Sequence, residues 1–184
     1  MPGKPQSATG QAALLTGVNA AELMGRHVEG FPPHSLKTII ERESLFRKLR
    51  DLGKDATFAN SYWIDDPEQI PHRRRSVTTV MTLSALSGVR HKQELLDGLA
   101  VNHDITRWTM GDRGYDGPHI SEEDAAGHLL DVARQHDFTL YEYFLTDRAG
   151  HSGEPELIHQ CLETLERFLP IAAAFAREPN HLFL

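Results

Sequence analysis

The segment Thr146-Asp147-Arg148-Ala149-Gly150-His151 sets a carboxylate and an imidazole four residues apart with a glycine between them. One hard oxygen and one nitrogen suit a divalent ion of the Zn²⁺ or Mn²⁺ type, and Gly150 would permit a turn tight enough to aim both side chains at it. The same spacing also serves a plainer arrangement, in which Asp147 caps the turn and His151 is a surface residue. A second segment, Pro5-Gln6-Ser7-Ala8-Thr9-Gly10-Gln11, directly precedes an apolar run. A hydroxyl at a helix N-terminus lies beside free N–H groups and the positive end of the dipole. That suits a nucleophile attacking phosphorus, or a phosphate site. Ser7 or Thr9 acting simply as an N-cap is the alternative. Arg26 and the run Arg73-Arg74-Arg75 can clamp a phosphate bidentately. His27, next to Arg26, and Asn102-His103-Asp104 are further candidates for substrate contact.

The elements that must position these groups follow from periodicity. Gln11 to Leu15 and Ala20 to Met24 read as short helices interrupted at Thr16-Gly17-Val18-Asn19. Leu36, Ile39, Ile40, Leu45, Phe46 and Leu49 predict one or two amphipathic helices ending at Gly53. Ala56 to Tyr62 predicts a strand, and Ser76 to Leu86 fits a strand or a helix. Residues 63–118 form a glycine-rich and charged stretch expected as a cap-like insertion. Ser121, ahead of Glu122-Glu123-Asp124, predicts a capped helix start. Asp137 to Leu145 predicts a strand that delivers Asp147 at its carboxyl end, where open α/β sheets collect functional groups. A helix over about 155–176 follows, with Ile158, Cys161, Leu162, Leu165, Phe168 and Leu169 on one side and a kink at Pro170. His181 to Leu184 reads as the opening of another strand. Strand, helix, strand implies a right-handed parallel crossover, and hence an α/β fold with a mostly parallel sheet flanked by helices.

Taken together, Ser7-x-x-Gly10 before an apolar helix and a distant Thr146-Asp147-x-x-Gly150-His151 resemble the alkaline phosphatase superfamily. Within it the similarity is to the branch of cofactor-independent phosphoglycerate mutase and phosphopentomutase. The resemblance implies an alkaline-phosphatase-like core and two divalent metal ions, Mn or Zn. It implies that Ser7 is both the phosphorylated nucleophile and a metal ligand, and that Asp147 and His151 are ligands of one ion. The reaction it implies is phosphoryl transfer or phosphate-ester hydrolysis on a small phosphorylated substrate. Arg26, His27, Arg74 and Arg75 are candidates for holding that substrate. Family ligands expected before Ser7 and after Leu184 are absent, which implies a single incomplete domain, a piece of a longer enzyme lacking both ends and inactive alone. Phosphodiester or sulfate-ester hydrolysis, and an inert piece or interaction module of the same fold, are the competing readings.

Composition limits the alternatives. In 184 residues, 40% hydrophobic and 24% charged content is that of a globular domain with a real core. A net charge of −7 argues against general nucleic-acid affinity, which needs clustered cations. The single cysteine, Cys161, excludes an internal disulfide and predicts a buried structural thiol in a reducing compartment. No stretch approaches the about 20 apolar residues of a membrane span, and no signal-peptide pattern opens the chain, so a cytoplasmic location is expected. An unpaired sheet edge would favour self-association, making a homo-oligomer the expected partner besides substrate.

Overall fold

A computed structural model describes residues 6–174 and 181–182. Their packing divides the chain into two compact units: residues 1–57 with 66–89, and residues 58–65 with 90–184. The secondary structure is mixed α/β, mostly helical, with a small two-stranded parallel sheet.

Unit 1 is built from helices whose ends are fixed by local chemistry. Helix α1 (Ser7–Thr16) stops at Gly17, whose φ of 75° is free of steric cost for glycine. Helix α2 (Ala20–Leu23) follows, with the Asn19 side chain accepting from the Glu22 N–H. Ser44 separates α3 (His34–Glu43) from α4 (Leu45–Asp51). Its own N–H donates to the Ile40 carbonyl at 3.0 Å, and its hydroxyl accepts from the Arg47 N–H at 3.4 Å. One extended residue therefore makes two helices of the predicted amphipathic stretch.

Residues 76–86, open to either assignment from sequence, form helix α5 (Val77–Ala85). Ser76 caps it by accepting from the Thr79 N–H, and Thr82 satisfies its buried hydroxyl by donating to the Thr78 carbonyl at 2.7 Å. Seven of its residues are buried, so packing overrides the strand preference of its β-branched residues. Leu36, Ile40, Phe46, Val77 and Met81 form the fully buried centre of the unit. Arg47 and Arg50 donate to the last carbonyls of the helix, those of Ser84 and Ala85, where cations oppose the helix dipole.

In unit 2, helix α6 (Lys92–Leu96) is followed by a 3₁₀ segment (Trp108–Arg113) and helix α7 (Glu122–Ala133). As predicted, α7 is capped by Ser121, which accepts from the Asp124 N–H at 3.0 Å. The sheet pairs β1 (Ala56–Phe58) with β2 (Phe138–Leu140). Within this unit the pairing continues through the Ala59 N–H donating to Leu140 and bridges from Asn60 to Val101 and Ser61 to Arg90.

The strand expected to reach Leu145 ends at Leu140, and Asn60 supplies the reason. Its side-chain oxygen accepts from the Glu142 N–H at 2.8 Å, and its side-chain nitrogen donates to the Glu142 carbonyl at 2.7 Å. A side chain thus takes both backbone groups that a ladder would need. The chain then turns into helix α8 (Leu145–Ser152), followed by α9 (Pro155–Ala174) with Pro170 inside it.

The buried stripe of α9 is Leu157, Cys161, Thr164, Phe168 and Ala172. It is offset from the predicted one: Ile158 and Leu162 are 39% and 60% exposed. Cys161 is a buried free thiol, as expected. Residues 175–176 of the predicted helix and Phe183–Leu184 of the predicted final strand lie outside the described residues. His181 and Leu182 are exposed and in neither helix nor strand. Residues 66–89 of the expected insertion group with unit 1 and residues 90–118 with unit 2. Among the described residues, no helix is long and apolar enough to cross a membrane.

Candidate functional site

Asp147 and His151 share one exposed face of α8, with Asp147 Oδ1 and His151 Nε2 3.7 Å apart. Their juxtaposition comes from helical i,i+4 geometry, not from a strand end and a glycine turn; Gly150 is an ordinary residue inside the helix. The opposite face, Leu145 and Ala149, is buried against Leu157 and Cys161. That burial fixes the rotation of the helix and turns the Asp–His pair outward. Among the described residues, no group of three metal-ligating side chains forms.

Beside α8 in the same unit lies the segment containing Asn102-His103-Asp104. Its backbone is strained: Ile105 and Arg107 have φ values of 72° and 69°, a conformation that L-residues adopt at a cost, and a β-branched one least readily. Asp104 holds it there. This fully buried carboxylate accepts from Asn102 Nδ2 (2.6 Å), the Arg107 N–H (2.8 Å), the Thr109 N–H (2.7 Å) and the Thr109 hydroxyl (2.7 Å). The buried guanidinium of Arg107 donates to the Leu95 carbonyl and to the Tyr115 hydroxyl.

Two bonds join this loop to the segment entering α8. The Tyr141 hydroxyl donates to the Asn102 carbonyl at 2.7 Å, and the Phe144 N–H donates to the His103 carbonyl at 3.0 Å. The imidazole of His103 meets the Phe144 ring edge to face, with centroids 6.3 Å apart. Burial pushes the Tyr141 and Tyr143 phenols up, with Cys161 beside Tyr143 adding to its shift.

His103 has a depressed pKa, chiefly because burial penalises its cation; Asp104 partly opposes this and Arg113 reinforces it. Its folded-state pKa therefore lies below the ordinary value of about 6.5. The unfolded chain then binds the extra proton first. Stability is present at pH 7 and is lost as pH falls through about 6.5 toward the lower folded value. His103→Gln is expected to flatten that part of the profile, as measured by urea midpoints at pH 7.5, 6.5 and 5.5. Parallel profiles for the two proteins would refute the assignment.

In unit 1, Ser7 is the first residue of α1, not its cap; Gln6 occupies that position without a side-chain bond. Ser7 Oγ accepts from the Gly30 N–H at 3.0 Å, which leaves its own hydrogen to donate. Thr9 is buried and pairs twice with Val28: the Thr9 N–H donates to the Val28 carbonyl, and the Val28 N–H to the Thr9 hydroxyl. These bonds lay residues 28–30 along the first turn of α1. His27, at the edge of that segment, is half-buried, and its Nε2 is shielded from solvent without a hydrogen-bond partner among the described residues. Arg26 is exposed, as is Arg74 in a 3₁₀ turn (His72–Arg74). Arg75 is half-buried, and its Nε donates to the Ile70 carbonyl at 3.3 Å. Ser7 and His27 are thus brought to one end of α1 by local pairing, while Arg74 and Arg75 belong to a separate turn.

Comparison with protein-family models, curated proteins and solved structures gives no match. The side chains and their geometry alone carry the functional reading.

Sequence reasoning passed over Lys37, Arg113 and Tyr141. Lys37 carried a usable signal: it lies between Leu36 and Ile40 on the apolar side of a predicted helix, where a charge needs a reason. Arg113 and Tyr141 carried none, because tertiary packing alone brings them near His103 and Asn102.

Proposed function

We propose that the protein is a metal-dependent phosphoryl-transfer or phosphate-ester-hydrolysing enzyme of alkaline-phosphatase-like type, related to the phosphoglycerate mutase branch and acting on a small phosphorylated substrate. The observation that carries this reading is the outward-facing Asp147–His151 pair. Ligand bonds of about 2.1 Å would place neighbouring donors about 3.4 Å apart around a tetrahedral Zn²⁺ and about 3 Å apart around an octahedral Mn²⁺, and a separation of 3.7 Å between exposed side chains reaches either by small rotamer changes. The pair fits part of such a coordination shell. When bound, a divalent ion supplies charge stabilisation at phosphoryl oxygens.

Ser7, which belongs to unit 1, carries the serine chemistry of the same reading. Ser7 Oγ is the nucleophile, oriented by the Gly30 N–H and positioned at the N-terminal end of a ten-residue helix, where developing negative charge is favoured. In the transfer step its oxygen bonds to phosphorus, the bond from phosphorus to the leaving oxygen breaks, and the serine proton leaves to the medium. Arg26 and His27 directly precede the segment 28–30 that pairs with the first turn of α1 and are assigned to the substrate, with Arg74 and Arg75 as further cationic contacts.

Two measurements test the reading. Titration calorimetry with Mn²⁺ or Zn²⁺ is expected to show binding that weakens at least about tenfold in Asp147→Ala/His151→Ala. Hydrolysis of a generic aryl phosphate in the presence of the metal is expected to fall to background in Ser7→Ala. Metal binding that survives the double substitution overturns the assignment of the pair. A folded chain that binds no metal and turns over no ester favours the competing reading, a catalytically inert piece or interaction module.

A further inference from the structure

Unit 1 contains a cleft lined by Lys37, Glu41, His72, Arg75, Val80 and Leu83. Lys37 is only 7% exposed. Its ammonium donates to the His72 carbonyl, and no carboxylate pairs with it among the described residues. Glu41, one turn further along α3, is exposed and is not within ion-pairing distance of it. An ammonium has three donors, and the His72 carbonyl takes one of them, which leaves donors for an anion in the cleft.

Arg75 adds a second cation to the same cleft. Its Nε is occupied by the Ile70 carbonyl, which steadies the guanidinium and leaves both terminal nitrogens to form a fork. Val80 and Leu83 supply apolar surface that lowers the local dielectric and strengthens charge pairing there. Lys37 and Arg75 together exceed the single carboxylate of Glu41 by one charge.

We infer that this cleft is an oxyanion site that takes a phosphate group, bound by the Lys37 ammonium and the terminal nitrogens of Arg75. His72 lies at the edge, and Glu41 accepts a hydrogen bond from a protonated phosphate oxygen. The group comes either from free phosphate or from a small phosphate ester. The site shares Arg75 with the proposed reaction but does not rest on it, because it needs neither Asp147, His151 nor Ser7.

The test uses the whole chain in chelator-containing buffer, so that a failure of metal binding cannot mimic a failure here. Inorganic phosphate, glycerol phosphate and acetate are titrated separately, with thermal melting and phosphorus NMR line broadening as readouts. Phosphate is expected to raise Tm and broaden its own resonance. Arg75→Gln is expected to weaken binding about tenfold, the usual scale for losing a charge-assisted bond, and Lys37→Met to abolish it. Circular dichroism establishes that each variant is folded, and Arg75→Gln keeps the test decisive if Lys37→Met does not fold. Tighter binding of glycerol phosphate identifies an ester as the ligand; equal or weaker binding identifies phosphate itself. Acetate binding as tight as phosphate, no phosphate binding, or binding unchanged in Arg75→Gln overturns the inference.

Discussion

Asp104→Ala is expected to destabilise unit 2 by about 3–5 kcal/mol, the scale of leaving several buried donors without their acceptor. Four donors converge on this carboxylate, and removing it leaves the Arg107 and Thr109 N–H groups inside the protein without an acceptor. Each such orphan costs about 1–3 kcal/mol. The loop also loses what holds Ile105 and Arg107 in their left-handed conformations, each of which costs about 1–3 kcal/mol. The strain is released as the acceptor disappears, so the two effects partly offset each other and the loop rearranges locally. Asp104→Asn separates shape from chemistry. It retains the volume but turns an N–H₂ group toward at least one donor, and is expected to cost about 2 kcal/mol. Urea unfolding followed by circular dichroism measures both variants. A loss below about 1 kcal/mol in Asp104→Ala would show that solvent replaces the carboxylate and that the loop is not held by it.

The loop matters functionally because of where it leads. Through the Asn102 and His103 carbonyls it fixes the segment from Tyr141 to Phe144, and that segment runs directly into the helix carrying Asp147 and His151. Asp104→Asn is thus a graded perturbation of the entry to α8 made without touching either candidate ligand.

How much of this was legible in the sequence varies with the range of the interaction responsible. The caps at Ser76 and Ser121 act within three residues, and Ser121 was readable from the acidic residues after it. The break at Ser44 and the stop at Gly17 are likewise local. The early end of β2 was not readable, because it is imposed by Asn60, 82 residues away in the chain. That one side chain also changes what the Asp147–His151 spacing means. After a strand the spacing would need a glycine turn; on a helix it is simply one turn of the same face. The residues named from sequence therefore meet for a different geometric reason. The offset of the buried stripe on α9 has a similar origin. Ile158 and Leu162 satisfy the apolar period as well as Leu157 and Cys161 do, and only the packing of α7 and α8 selects between them.

Phe168→Ala is expected to cost about 3–5 kcal/mol, as for other large-to-small changes in a closed core. Phe168 is 3% exposed and packs in a cluster with Val101, Ile105, Ala125, Ala126 and Ala172, its ring centroid 5.8 Å from that of Tyr141. Three of those neighbours are alanines, whose side chains cannot extend to refill the space, so little of the cavity can collapse. Phe168→Leu keeps most of the volume and is expected to cost less than about 1.5 kcal/mol. Ile105 belongs both to this cluster and to the strained loop that Asp104 holds. Its burial is one of the forces keeping its backbone in the left-handed region, so loop and core are one cooperative unit. A double-mutant cycle between Asp104→Asn and Phe168→Leu is therefore expected to show a coupling of about 0.5 kcal/mol or more. Additive effects within about 0.3 kcal/mol would show that the Asp104 bonds alone set the loop and that Ile105 is merely carried into the core with it.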